Sequence, residues 1–207
     1  MKSAILSNSS CQQELIQCLS ILFSNIYPYL QNLRKDDCVV IIDILNLFIE
    51  CIKTISENNI IKSILFSFIC FVNSKKNEII NVKFNDIVKN AFYGIEHYNN
   101  IVIDSFNNFC FCCINYDKVL FLSLVKDILN SKEFSCFNDK YKNVIIDYFD
   151  YYYKDINKLK NIVIDMMNVI KKKNVQDIFD VYYQELRMEK KDYLKIKNLK
   201  NIVVNIE

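Results

Sequence analysis

The sequence predicts an all-α protein, an irregular helical array (HEAT-like solenoid or bundle) of about eight to ten helices in one domain spanning 1–207. Three observations carry the prediction. The 207 residues include one glycine and one proline, whereas hairpins and phosphate-gripping loops need glycine where φ turns positive or backbones approach closely. Apolar residues recur every three or four positions through most of the chain, the period of a helix with one buried face. Asparagine, the residue that best replaces glycine at a helix end, occurs 26 times, and Asn32, Asn59, Asn81, Asn100, Asn115, Asn130 and Asn174 separate apolar runs.

The elements follow in order. Ser10 and Gln13 have the spacing of a capping box, with Leu15, Leu19, Leu22 and Ile26 along one face behind them. Pro28 is expected to break or kink that helix. Asp36 or Asp37 can cap the next, on which Val40, Ile44, Leu47 and Cys51 form an apolar stripe opposite Asp43, Asn46, Glu50 and Lys53. Between Asn59 and Val72 the apolar residues fill more than one stripe, which predicts the most buried helix. Phe84, Val88, Ala91 and Ile95 line a fourth. Further helices are expected near 101–114, 117–130, 139–153, 155–173 and 175–190. Tyr141, Ile145, Tyr148 and Tyr152 line one of these; Ile156, Leu159, Val163, Met166 and Ile170 line the next.

An internal echo runs through four helices. Asp43 with Asn46, Asp104 with Asn107, Asp147 with Asp150 and Asp165 with Asn168 each follow a Val/Ile run. Their spacing of three puts both polar groups on one helix face, as an inner helix of a stacked array requires. In this respect the chain resembles a HEAT-type array. The intrahelical proline and Asp-to-Arg ladder of those repeats are absent, so no family assignment follows.

Ile, Asn, Lys, Phe and Tyr make up 110 residues, and Arg occurs twice among 26 basic side chains. These residue types have A/T-rich codons, and the bias points to an AT-rich genome such as those of some intracellular parasites and large DNA viruses. It also devalues the β propensity of Ile and Val, so periodicity outranks propensity. The nine cysteines lie inside apolar stretches and read as reduced core residues of a cytoplasmic protein. No basic stretch followed by an apolar one opens the chain, so secretion is not expected. The uncharged run from Leu15 to Leu33 holds too many polar side chains to favour crossing a bilayer.

Few residues offer chemistry. Cys110 and Cys113 form a Cys-x-x-Cys, and the one histidine, His97, lies upstream. No second pair completes a zinc tetrahedron, and core packing is the better reading. Asp147 with Asp150, and Asp177 with Asp180, are carboxylate pairs expected on solvated helix faces. Phosphate loops, nucleophile elbows and zincin helices are missing. The expectation is a protein that is not an enzyme and takes no cofactor, metal or small-molecule substrate.

Binding surfaces are expected instead. Residues 1–153 carry 14 basic and 16 acidic side chains (net −2), and residues 154–207 carry 12 and 8 (net +4). The basic end holds Lys171, Lys172 and Lys173, then Arg187, Lys190, Lys191, Lys195, Lys197 and Lys200, with 187–207 read as a basic C-terminal extension. Tyr151 and Tyr153 lie off the main apolar stripe and suit exposed contacts. The partner expected is a large assembly, the ribosome with its rRNA and proteins, on which the chain would act as an accessory or dormancy factor that blocks translation. The alternative is a protein-only helical adaptor. Viral Bcl-2-like proteins are similar in length and helicity, although none of their motif residues is present.

Overall fold

The computed structural model describes residues 10–26, 29, 35–74, 78–172 and 178–204. Pro28, Asp177 and Lys173 lie outside them. Nine α-helices and no strand occur among the described residues: α1 (Ser10–Ile26), α2 (Lys35–Thr54), α3 (Asn58–Asn73), α4 (Glu78–Tyr93), α5 (Asn100–Tyr116), α6 (Lys118–Leu129), α7 (Asp139–Tyr152), α8 (Ile156–Lys172) and α9 (Ile178–Val204). Short 3₁₀ turns at Gly94–His97 and Lys132–Phe134 follow α4 and α6. The all-α expectation therefore holds, with one change at the C-terminal end: α9 runs on without a break to Val204, so the basic extension expected at 187–207 is helix through most of its length. No helix among the described residues is long and apolar enough to cross a membrane.

Asparagine and aspartate shape the joints at helix starts rather than helix ends. The Asn99 side chain accepts from the amides of Ile101 and Val102 at 2.9 and 3.3 Å. Asp117 accepts from Leu120 at 2.9 Å, Asn138 from Tyr141 at 3.0 Å, and Asp155 from Asn157 and Lys158, both at 3.1 Å. Each satisfies amides that a first turn leaves unpaired. At the end of α6, where a left-handed asparagine was expected, Asn130 has φ −87° and stays right-handed.

Helices stack in two layers. In the first, α1 packs on α3, α3 on α5 and α5 on α8; in the second, α2 packs on α4, α4 on α6, α6 on α7 and α7 on α9. Up to α6 the chain alternates between layers. It then stays in the second layer for α7, crosses back for α8, and returns for α9. Side-chain pairs give the directions. Asp104 meets Lys160 at 2.6 Å and Asn107 meets the Ile156 carbonyl at 2.8 Å, so α5 and α8 are antiparallel. Lys140 pairs with Asp180 and Tyr148 donates to Glu185 at 3.3 Å, so α7 and α9 run the same way.

An aromatic seam joins the layers. Phe23 of α1 touches Phe48 of α2 and Phe71 of α3, with centroids 6.2 and 6.3 Å apart. From α3 the seam continues through Phe68, Phe109, Phe106, Phe92, Phe121 and Phe149, reaching α7 with neighbouring centroids 5.1–6.2 Å apart. Each such pair adds about 0.5–1.5 kcal/mol beyond the area it buries. Gly94 sits beside the seam, where a Cβ would come within 2.9 Å of Tyr98 Oη and 3.1 Å of the Ile52 carbonyl oxygen. Close approach of α2, rather than an unusual φ, therefore requires this glycine.

Several stripes read from the sequence sit one position off. On α1 the buried residues are Ile16, Ser20 and Phe23, while Leu22 is 49% exposed. Val40 and Ile156, expected inside, are 57% and 39% exposed. The α3, α7 and α8 faces are otherwise buried as expected. The four-helix echo does not mark one layer: α2 and α7 belong to the second and α5 and α8 to the first. Its pairs do not share an environment either, since Asn107 is buried and Asp104 exposed.

Candidate functional site

The expected basic residues divide between two places. Tyr182 of α9 donates to Asp165 of α8, and Lys158 of α8 meets Glu185 of α9 at 2.5 Å, so these two helices are antiparallel. Lys171 and Lys172 consequently lie at the end of α8 remote from Arg187 and Lys190. Lys171 is a fastener there: its ammonium donates to the Tyr98 carbonyl oxygen and ties α8 to the turn after α4. Lys172 is exposed. Lys195, Lys197 and Lys200 belong to α9, and their side chains lie outside the described residues.

Arg187, Lys190 and Lys191 come together on a groove of about 540 Å³ between α7 and α9. Its α7 wall is Lys140, Asn143, Val144 and Asp147, and its α9 wall is Tyr183, Leu186, Arg187, Lys190 and Lys191. Both sets follow the three-four spacing that keeps side chains on one helix face. Val144 and Leu186 are buried and form an apolar floor. Tyr183 is 40% exposed and stands under the Lys140 ammonium, 5.0 Å from its ring centroid.

Two of the four cations are already engaged. Lys140 pairs with Asp180, and that hydrogen bond raises the pKa of the lysine. Lys190 meets Asp147 at 3.1 Å. Arg187 and Lys191, both exposed, have no carboxylate partner among the described residues. The groove thus holds two spare positive charges beside an apolar floor. Its volume falls within the range of about 300–1,000 Å³ usual for ligand clefts.

A polar network holds α9 in place behind the groove. Glu185 accepts from Lys158 and Tyr148, and Lys158 lies 3.8 Å above the Tyr152 ring. Burial, then the Glu185 charge, pushes the Tyr152 hydroxyl up to about 12, and the same causes raise Tyr148. Burial followed by the hydrogen bond to Asp165 raises Tyr182. These phenols are therefore neutral at ordinary pH, and Tyr148 and Tyr182 donate.

The other expected residues scatter. Tyr151 is 36% exposed and lies edge-on to Tyr152, whereas Tyr153 is half-buried with Lys118 and Lys154 over its ring at 4.8 and 5.4 Å. Asp150 pairs with Lys118 at 2.6 Å, so Asp147 and Asp150 serve different cations. Cys110 and Cys113 are fully buried, which holds their thiols well above the usual cysteine range. Thiols so placed pack rather than react. His97 is exposed on its 3₁₀ turn. No group of three or more His, Cys, Asp or Glu gathers as metal ligands among the described residues. The sequence reading missed the α7 half of the groove, because Lys140, Asn143 and Val144 become its wall only once α7 and α9 run side by side.

The fold defines the protein as an all-α, two-layer helical array. No family model matches the chain, and no curated protein or solved structure does.

Proposed function

We propose that the protein is a non-enzymatic binding protein that uses the α7–α9 end of its helical array to hold a macromolecular partner. The observation that carries this reading is the groove in which Arg187 and Lys191, without a carboxylate partner among the described residues, stand beside the floor of Val144 and Leu186. Of the two expected partner classes, a protein is better supported than rRNA. Nucleic-acid surfaces gather cations to neutralise successive phosphates, whereas here Asp147 and Asp180 stand among the lysines and take up two of them. An apolar floor with a charged rim is the arrangement of a protein interface.

Velocity sedimentation of the native, untagged protein through low- to high-salt gradients, with and without ribonuclease, tests the reading. The expected result is co-migration with a protein partner that survives ribonuclease. Co-migration with ribosomes that ribonuclease abolishes would replace it with the rRNA-bound, translation-blocking reading. Migration as a free chain at every salt would remove both.

A further inference from the structure

We infer that the α7–α9 groove takes an acidic, amphipathic peptide segment of a partner protein, its apolar side chain seated on Val144 and Leu186 and its carboxylates on Arg187 and Lys191. This rests on the binding function proposed above and names the chemistry of the partner.

Charge complementarity selects the occupant. The groove and its edge hold four cations against two carboxylates, Asp147 and Asp180, and those carboxylates are bound to Lys190 and Lys140. The remaining charges, one turn apart on α9, are a guanidinium and an ammonium with no partner among the described residues. A segment with carboxylates at helical spacing can meet both at once, and the Arg187 guanidinium suits a carboxylate through two parallel hydrogen bonds. A basic segment would lose this pairing and meet like charge. An acidic segment without an apolar residue would set polar groups against the floor of Val144 and Leu186.

The neighbouring architecture suits a helical segment. Lys140 is paired and packed over the Tyr183 ring, so one wall is already ordered before anything binds. Parallel α7 and α9 leave an open trough along their shared direction, a shape into which a third helix can lie. α9 is also longer than its neighbour. Its 27 residues span about 40 Å and the 14 of α7 about 21 Å at 1.5 Å per residue. With Asp180 opposite Lys140 and Lys190 opposite Asp147, the helix continues past the end of α7 and extends the wall beyond the groove.

Fluorescence anisotropy with three labelled peptides tests the inference on the full-length protein. The first carries Leu and Phe one turn apart between glutamates; the second has lysine in place of each glutamate; the third has alanine in place of Leu and Phe. The first is expected to bind at least about tenfold more tightly than either control. The double substitution Arg187→Glu, Lys191→Glu is expected to weaken it about tenfold or more, and Asn143→Trp, which fills the trough without changing charge, to weaken it as well. Lys172→Glu, at the other end of α8, should leave binding as it was. Equal binding of the lysine peptide, undiminished binding by the double variant, or tighter binding of a labelled single-stranded RNA than of any peptide would overturn the assignment. The double variant in the sedimentation experiment separates the two readings. A partner retained by both the native chain and the variant leaves the binding function standing and removes the groove as its seat; a partner held by neither removes the function itself.

Discussion

Gly94 shows how much one residue can decide. A methyl group there meets the Tyr98 hydroxyl and the Ile52 carbonyl at distances that force movement, and Tyr98 is itself fixed by a 2.7 Å hydrogen bond to the Ala91 carbonyl. Gly94→Ala is expected to cost roughly 1–3 kcal/mol in urea denaturation, the usual range for overpacking. Tyr98→Phe is expected to cost about 1 kcal/mol for the lost bond. Because removing the hydroxyl also removes the nearest obstacle, the double variant should lose less than the two single losses together. Simple additivity would show that Gly94 is needed for another reason. The buried thiols make a second prediction. Burial lifts Cys51 and Cys70 from 9.0 to about 11, so between those values the unfolded chain has released protons that the folded chain keeps. Stability is then fully present below pH 9.0 and falls as pH rises towards about 11. The urea midpoint under reducing conditions should decline across that window and decline less in Cys51→Ala; a level midpoint would contradict the burial account.

Single helices depend on their starts and on one or two large side chains. Asn99 serves two amides of α5, and Asn99→Ala is expected to cost about 0.5–2 kcal/mol by thermal or urea denaturation. No measurable loss would mean that water replaces the cap at no cost. Phe179 plays the corresponding part for α9, wedged between Phe137 and Tyr141 with centroids 5.5 and 5.7 Å away. Phe179→Ala is expected to cost about 3–5 kcal/mol and to act locally, so that protease cuts α9 first while α1–α6 resist. Simultaneous digestion of all helices would show that α9 is not a separable element. At this scale the sequence was most legible. Long periodic runs such as Tyr141, Ile145, Tyr148 and Tyr152 located α7 and its buried face. The stripe on α1 failed because that helix is apolar on several sides, and only the position of α3 decides that Phe23 turns inward and Leu22 outward. The groove was half legible for a related reason. Arg187, Lys190 and Lys191 announce a charged face, but the pairing of Lys140 with Asp180 across 40 residues has no local signal.

For the whole molecule, the aromatic seam and the lateral ion pairs predict different responses to salt. The seam from Phe23 to Phe149 excludes water and is insensitive to screening, whereas α9 is held partly by Lys140–Asp180 and Lys190–Asp147, with both pairs about half exposed. Such pairs weaken as ionic strength rises. Amide exchange in α9 should therefore quicken with added salt while exchange in α3 and α5 stays constant; uniform acceleration would mean that the ion pairs contribute nothing specific. The order of the layers bears on a different matter, descent. Copying a hairpin end to end reproduces the direction of its helices, so every member of a layer points the same way. From α6 to α7 the second layer turns around, as Lys118 at the start of α6 meets Asp150 near the end of α7, and α8 lies antiparallel to α5 in the first. Serial copying of one hairpin does not by itself generate that turn, so the α7–α9 end departs from the alternation that α1–α6 keep.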